Sequence, residues 1–191
     1  THCISSAASD VYKRQQHGGI LVDFNAVKGG IEIIPLDNDW QRAAHVYSDE
    51  VLISHRTDAE KGTPKFERGK SLSDHQQEMI YISGTAAIRG EESIVTGDVL
   101  VQTEITLENI QHLIGLEEGR EKLPEHSGKL ELLRVYLKHE EDAKIVKEDM
   151  DKLCPDVPIV YLYADVCREE LLVEIEGCLL YTSDAADDMQ C

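Results

Sequence analysis

Apolar positions along the chain fall into short runs and stepped stripes separated by Gly, Pro and charge, and each spacing predicts an element. Gly19–Phe24 (GILVDF), bounded by Gly18-Gly19 and Asn25, predicts a buried strand. Gly29-Gly30 precedes a second short run, Ile31–Pro35, read as another strand. Leu36–Tyr47, around the only Trp (Trp40), predicts one or two helical turns capped by Asn38 or Asp39. A polar, basic stretch from Ser54 to Lys70 reads as a connection. Met79–Ser83 (MIYIS) predicts a strand stopped by Gly84. Gly97-Asp98 opens a helix to about Leu116, on which Leu100, Thr103, Leu107, Ile110 and Ile114 step by three and four. Leu130–Leu137 predicts a strand. Glu140–Leu153 predicts a second helix, with acids in its first turn where the helix dipole favours them. Its buried face is Ala143, Val146, Met150 and Leu153. Pro155 and Pro158 end it, and Ile159–Tyr163 and Leu171–Glu176 predict two further strands. From residue 64 the order is β, α, β, α, β, β, an α/β (α+β) plan in which two helices pack on one face of a sheet.

The last strand carries the candidate chemistry. Alternate strand residues share a face, so Val173 and Ile175 point one way and Glu174 and Glu176 the other. On an open sheet face two carboxylates simply meet water. If that face lines a pocket, an enclosed Glu has a raised pKa and serves as proton donor or acceptor. Asp165, Cys167 and Arg168 crowd together just upstream.

Charge narrows the function classes. The 191 residues hold 19 Lys+Arg against 37 Asp+Glu, a net charge of −18. Such a chain is a poor ligand for nucleic acid, which demands neutralised phosphates. No apolar run is long enough to span a bilayer as a helix. Both ends look foreign. Ser5–Gln15 (SSAASDVYKRQ) resembles the translation of a transposon-type sequencing adaptor, and Cys178–Asp188 (CLLYTSDAADD) resembles the same adaptor read from the opposite strand. Residues 1–15 and 178–191 are therefore expected to be adaptor-derived and stand outside the fold reasoning. The natural protein is expected to be longer. Of the cysteines, Cys154 and Cys167 then remain, with no CxxC and no paired framework, which reads as a reducing, cytoplasmic chain.

No Walker loop, GxGxxG, HExxH or metal-spaced Cys/His set is present. The scattered His residues read as surface or turn positions, and Cys167 by default as a packed thiol. No metal or cofactor is called for.

Residues 79–177 resemble the RidA/YjgF superfamily, and more closely its chorismatase branch of chorismate-hydrolysing enzymes. The resemblance rests on YISGTAAIRGEES (Tyr81–Ser93), GDVLVQTEITLENIQHLI (Gly97–Ile114), LRVYLK (Leu133–Lys138) and YADVCREELLVEIEG (Tyr163–Gly177). PKFERG (Pro64–Gly69) and the Asn38…Gln41 pair resemble the same branch. The resemblance implies the RidA/YjgF chorismate-mutase-like fold over residues 64–177. Residues 16–63 are then the remnant of an N-terminal lobe plus a linker, with Gly19–Val27 as that lobe's last strand. It further implies a trimer-like assembly, or pairing with the missing lobe.

Residue by residue, Glu174 matches the family's acid/base carboxylate. Cys167 matches a pocket position that influences the product. Gly84, Thr85 and Ala86 match the turn at the pocket wall. The implied substrate is a small anion, chorismate, whose enol ether is cleaved to pyruvate and a hydroxybenzoate or dihydroxycyclohexadiene carboxylate. Its two carboxylates call for local cations, for which Arg168, Arg68 and Arg89 are the candidates. Two alternatives share the fold: a RidA-type enamine/imine deaminase and a non-catalytic small-molecule binding module. The deaminases place a carboxylate-clamping Arg two residues after the Pro that opens the penultimate strand. Here that residue, after Pro158, is Val160, which disfavours deamination.

Overall fold

A computed structural model describes residues 2–4, 25–27, 29–52, 62–74, 77–115 and 129–182. Ten strands and two α-helices are formed among them. A short pair, β1 (His2–Ile4) and β2 (Asn25–Val27), is antiparallel. The main sheet is built from β3 (Glu32–Leu36), β4 (Gly69–Ser73), β5 (Gln77–Thr85), β8 (Lys129–Leu137), β9 (Ile159–Tyr163) and β10 (Val173–Thr182). Its strand order is β3-β4-β5-β10-β8-β9. All neighbours are antiparallel except β8 and β9, which run parallel because α2 (Ala143–Leu153) crosses between them. A two-residue hairpin, β6 (Ile88–Arg89) with β7 (Glu92–Ser93), follows β5.

The α1 helix (Val99–Leu113) starts where Gly97-Asp98 predicts. The Asp98 carboxylate accepts from the Leu100 and Val101 amides, capping two otherwise orphaned donors. Gly115, at φ 72°, turns the chain out of the helix. Leu107 and Ile110 of α1, and Ile114 just past its end, meet Val146 and Met150 of α2 in one cluster. Ile80 and Ile82 of β5, Leu133, Val135 and Leu137 of β8, and Val173, Ile175 and Leu179 of β10 complete it. The strand members share one face, and both helices cover it, as the element order predicts. Leu153, expected on the buried face of α2, is exposed at the last residue of the helix.

Other departures have local causes. The turns predicted over Leu36–Tyr47 are instead the end of β3 followed by an irregular segment with a 3-10 turn at Ala44–Val46. There Asn38 caps no helix: its Oδ1 accepts from the Trp40 amide and its Nδ2 donates to the Asn109 carbonyl of α1. Strand β5 does not stop at Gly84 but runs to Thr85. Strand β10 does not stop at Glu176 but runs to Thr182, pairing with β5 as far as Gln77, with Leu179 and Tyr181 buried. Residues 178–182, set aside at the sequence level, are thus part of the sheet. So is β3, which lies in the stretch 16–63 read as lobe remnant and linker. The strand predicted at Gly19–Phe24 lies outside the described residues. No helix among the described residues is long and apolar enough to cross a membrane.

Candidate active site

The face of β10 turned away from the helices holds both carboxylates predicted to share it, and neither faces bulk water: Glu174 is 9% exposed and Glu176 2%. Across the sheet Glu174 lies opposite Tyr136 and Glu176 opposite Arg134. Arg134 Nε donates to Glu176 Oε1 at 2.8 Å, and the Tyr136 hydroxyl donates to the same oxygen. Burial, then the hydrogen bond to Glu176 and its charge, push the Tyr136 phenol well above its usual range, so it stays protonated. Glu176 Oε2 is buried without a hydrogen-bond partner among the described residues.

Glu174 leans the other way, onto β5. A β-bulge between Ile175 and Gly177 shifts the β10–β5 register there. The Glu174 carboxylate lies where a side chain at Gly84 would stand: a Cβ built on Gly84 overlaps Glu174 Oε1 and comes within 2.9 Å of its Cδ. Gly84 is needed for that approach. Thr85 is buried beside it, opposite Ile175, with its hydroxyl donating to the Ser83 carbonyl at 2.8 Å. The carbonyl of Ala86 accepts from Asn109 Nδ2 at 3.0 Å, as does that of Ile88 at 3.1 Å, so α1 fixes the turn after β5.

The loop between β9 and β10 brings in Cys167 and Arg168. Gln102, buried on α1, holds its end, donating to the Glu170 carbonyl at 2.9 Å and accepting from the Leu172 amide at 2.8 Å. Cys167 is exposed as a residue, yet its thiol is pushed up to about 11, first by desolvation and then by the Glu174 charge, with Arg168 opposing. The thiol thus lies within electrostatic reach of both. Arg168 is 8% exposed and donates to the Glu91 carbonyl at 2.8 Å and to Ser93 Oγ at 3.0 Å.

Arg68 arrives from the far side. Its carbonyl accepts from the Ser83 amide, next to Gly84, at 3.1 Å. Arg68 is 4% exposed, and its guanidinium donates to the Arg42 carbonyl and to the Tyr47 hydroxyl. Among the described residues neither Arg68 nor Arg168 forms an ion pair with a carboxylate. Arg89 does: it pairs with Glu108 at 2.7 Å and covers the Trp40 ring, away from this cluster.

Of the sequence-predicted residues, Gly84 and Glu174 meet where β5 and β10 pair, with Thr85 and Ala86 following Gly84 and Cys167 in electrostatic reach of Glu174, while the Arg68 and Arg168 guanidiniums come together at Tyr47. Tyr47, which lies within 6 Å of both guanidiniums, was not singled out by sequence reasoning. Nothing in its local spacing marks it. Among the described residues no group of three or more His, Cys, Asp or Glu could hold a metal ion.

No protein-family model matches the chain. A chorismatase of Streptomyces rapamycinicus is 33% identical over 168 residues, covering 84% of this chain and 47% of its own. A 3-hydroxybenzoate synthase of Streptomyces hygroscopicus is 35% identical over 130 residues, covering 61% of this chain and 37% of its own. The chain thus spans less than half the length of these curated relatives. A chorismatase crystal structure superposes with a TM-score of 0.62 at 26% identity, covering 78% of this chain and 44% of that one. Yeast Mmf1, at 9% identity, shares the fold alone, with a TM-score of 0.52 over 77% of this chain and 97% of its own. The chain is similar in sequence to the chorismatases and has the RidA/YjgF chorismate-mutase-like fold.

Proposed function

We propose that this chain is part of a chorismatase-like enzyme that cleaves the enolpyruvyl ether of chorismate, releasing pyruvate and a hydroxybenzoate or dihydroxycyclohexadiene carboxylate. The observation that carries the reading is Glu174: a carboxyl enclosed on the non-core face of the sheet, seated on Gly84, in a chain similar to curated chorismatases.

The chemistry needs one proton placed on carbon. Glu174 protonates the methylene carbon of the enol ether, and the ether carbon becomes an oxocarbenium-like centre. Water attacks that carbon and returns a proton to the Glu174 carboxylate. The resulting hemiketal collapses: the bond from this carbon to the ring oxygen breaks, the ring oxygen leaves protonated, and the remaining hydroxyl becomes the ketone of pyruvate. Attack by a neighbouring ring hydroxyl in place of water opens the route to the other product class. Cys167, whose thiol feels the Glu174 charge, biases that choice. As a protonated thiol at neutral pH it adds no charge to the site. Arg168 and Arg68 supply the cations that two substrate carboxylates require. A neighbouring lobe or copy in a trimer-like assembly would cover Val160 and Leu162, exposed on β9. Val160, in register with Arg134, offers no guanidinium of its own for the deaminase chemistry.

The test is incubation of the full-length protein with chorismate. Pyruvate appearing in step with chorismate loss is the expected result. Tight chorismate binding with no pyruvate would overturn the enzyme reading in favour of a binding module. Fast, Glu174-dependent hydrolysis of an amino-acid-derived imine, without pyruvate release, would move it to the deaminase.

A further inference from the structure

Tyr47 is brought to the arginines by a segment that has no regular structure of its own, yet is tied down at both ends. Asn38 Nδ2 donates to the Asn109 carbonyl at 2.9 Å, and the backbone of Trp40 and Arg42 exchanges two hydrogen bonds of 2.7 Å with Gly90. At the other end the Glu91 carboxylate accepts from the Ser48 amide at 2.8 Å and the Ser48 hydroxyl at 2.7 Å. These bonds, with Arg42 beside them, hold the Glu91 carboxyl below its usual range. Glu91 also gives its carbonyl to Arg168, so the residue that anchors the Tyr47 segment anchors one of the arginines. The ring of Tyr47 then lies 5.9 Å from the Arg68 guanidinium carbon and 5.5 Å from that of Arg168. Its hydroxyl accepts from Arg68 Nη2 at 2.5 Å. Arg68 Nε, buried, has no partner among the described residues.

Two buried guanidiniums near one ring repel each other unless something negative enters. The ring's electron-rich face offsets part of that repulsion and fixes both planes. We infer that Tyr47 is a positioning and specificity residue that joins Arg68 and Arg168 into one clamp, selecting ligands with two carboxylates over ligands with one. This rests on the reading that the site takes chorismate.

The test is calorimetric titration of the full-length protein and its Tyr47→Phe and Tyr47→Ala variants. The probes are chorismate, with two carboxylates, and 3-hydroxybenzoate, with one. Tyr47→Phe keeps the ring and removes one hydrogen bond to a charged donor, so chorismate affinity falls about tenfold. Affinity for 3-hydroxybenzoate falls far less, and KM for chorismate rises more than kcat falls. Tyr47→Ala removes the ring as well and loses more of the same discrimination. If the Ala variant does not fold, the Phe variant decides. Equal losses for both ligands would mean a merely structural role and overturn the inference, as would no loss for either. A wild-type protein that does not bind chorismate would overturn the reading it rests on, and this inference with it. A wild type that binds, with an unaffected Tyr47→Phe variant, would overturn this inference alone.

Discussion

Gly84→Ala asks whether the position of the Glu174 carboxyl, rather than its presence, limits the reaction. The added Cβ would overlap Glu174 Oε1 and stand 2.9 Å from Cδ and 3.4 Å from Cγ. Every clashing atom belongs to the far end of one side chain and none to the backbone. The sheet therefore survives, and the carboxyl swings away. Restoring ordinary van der Waals separation demands a displacement of about 1 Å, and a misplacement of that size costs on the order of 100-fold in rate. That equals about 2.7 kcal/mol on the barrier. The assay is steady-state pyruvate release from chorismate alongside thermal denaturation. The expected result is a kcat lower by about two orders of magnitude, with Tm within a few degrees of wild type. A variant with unchanged kcat would refute the claim that Gly84 sets the carboxyl in place. A collapse of Tm would refute the claim that only a side chain has to move.

The Cys167 thiol titrates near 11 because desolvation and the Glu174 charge disfavour the thiolate, so its alkylation by iodoacetamide is slow at neutral pH and rises as pH climbs. Glu174→Gln removes a charge that raises this pKa and shifts the alkylation profile to lower pH, while Arg168→Gln removes one that lowers it and shifts the profile up. Peptide mapping of the modified Cys167 reads both, and a shift in the reverse sense in either variant would contradict the proposed proximity. Leu179, fully buried on β10, predicts a loss of about 2–5 kcal/mol in the Leu179→Ala variant, read by urea denaturation. Stability unchanged by that substitution would show that the strand beyond Gly177 contributes nothing to the core.

Legibility in the sequence follows from how local each cause is. Helix α1 was readable because its cap, Asp98, and its apolar stripe lie within a few residues of one another. Strand β9 was readable from an apolar run opened by Pro158. Strand β4, Gly69–Ser73, was not. Gly69 and Lys70 close the stretch read as polar connection and Ser71–Ser73 carry no predicted element, and Ser71 and Leu72 are buried where β3 and β5 flank them. The end of β10 was missed because the residues after Gly177 were set aside on their resemblance to an adaptor, while Leu179 and Tyr181 continue the alternation of Val173 and Ile175. At the candidate site, alternation placed Glu174 and Glu176 on one face, but not the enclosure of that face. Tyr47 is brought to Arg168 by hydrogen bonds that Glu91 accepts and that Gly90 exchanges, contacts that no local pattern encodes. The buried polar face of α1, with Gln102 and Asn109 holding two site loops, was hidden for the same reason.

The most direct test of the account compares the wild-type full-length protein with its Glu174→Gln variant, following pyruvate release from chorismate and chorismate binding in parallel. Loss of a carboxyl that protonates carbon should abolish turnover while binding persists, because the amide keeps the shape of the side chain and lacks its proton. Pyruvate from the wild type and none from a variant that still binds chorismate is the predicted result. A Glu174→Gln protein that releases pyruvate at the wild-type rate would contradict it.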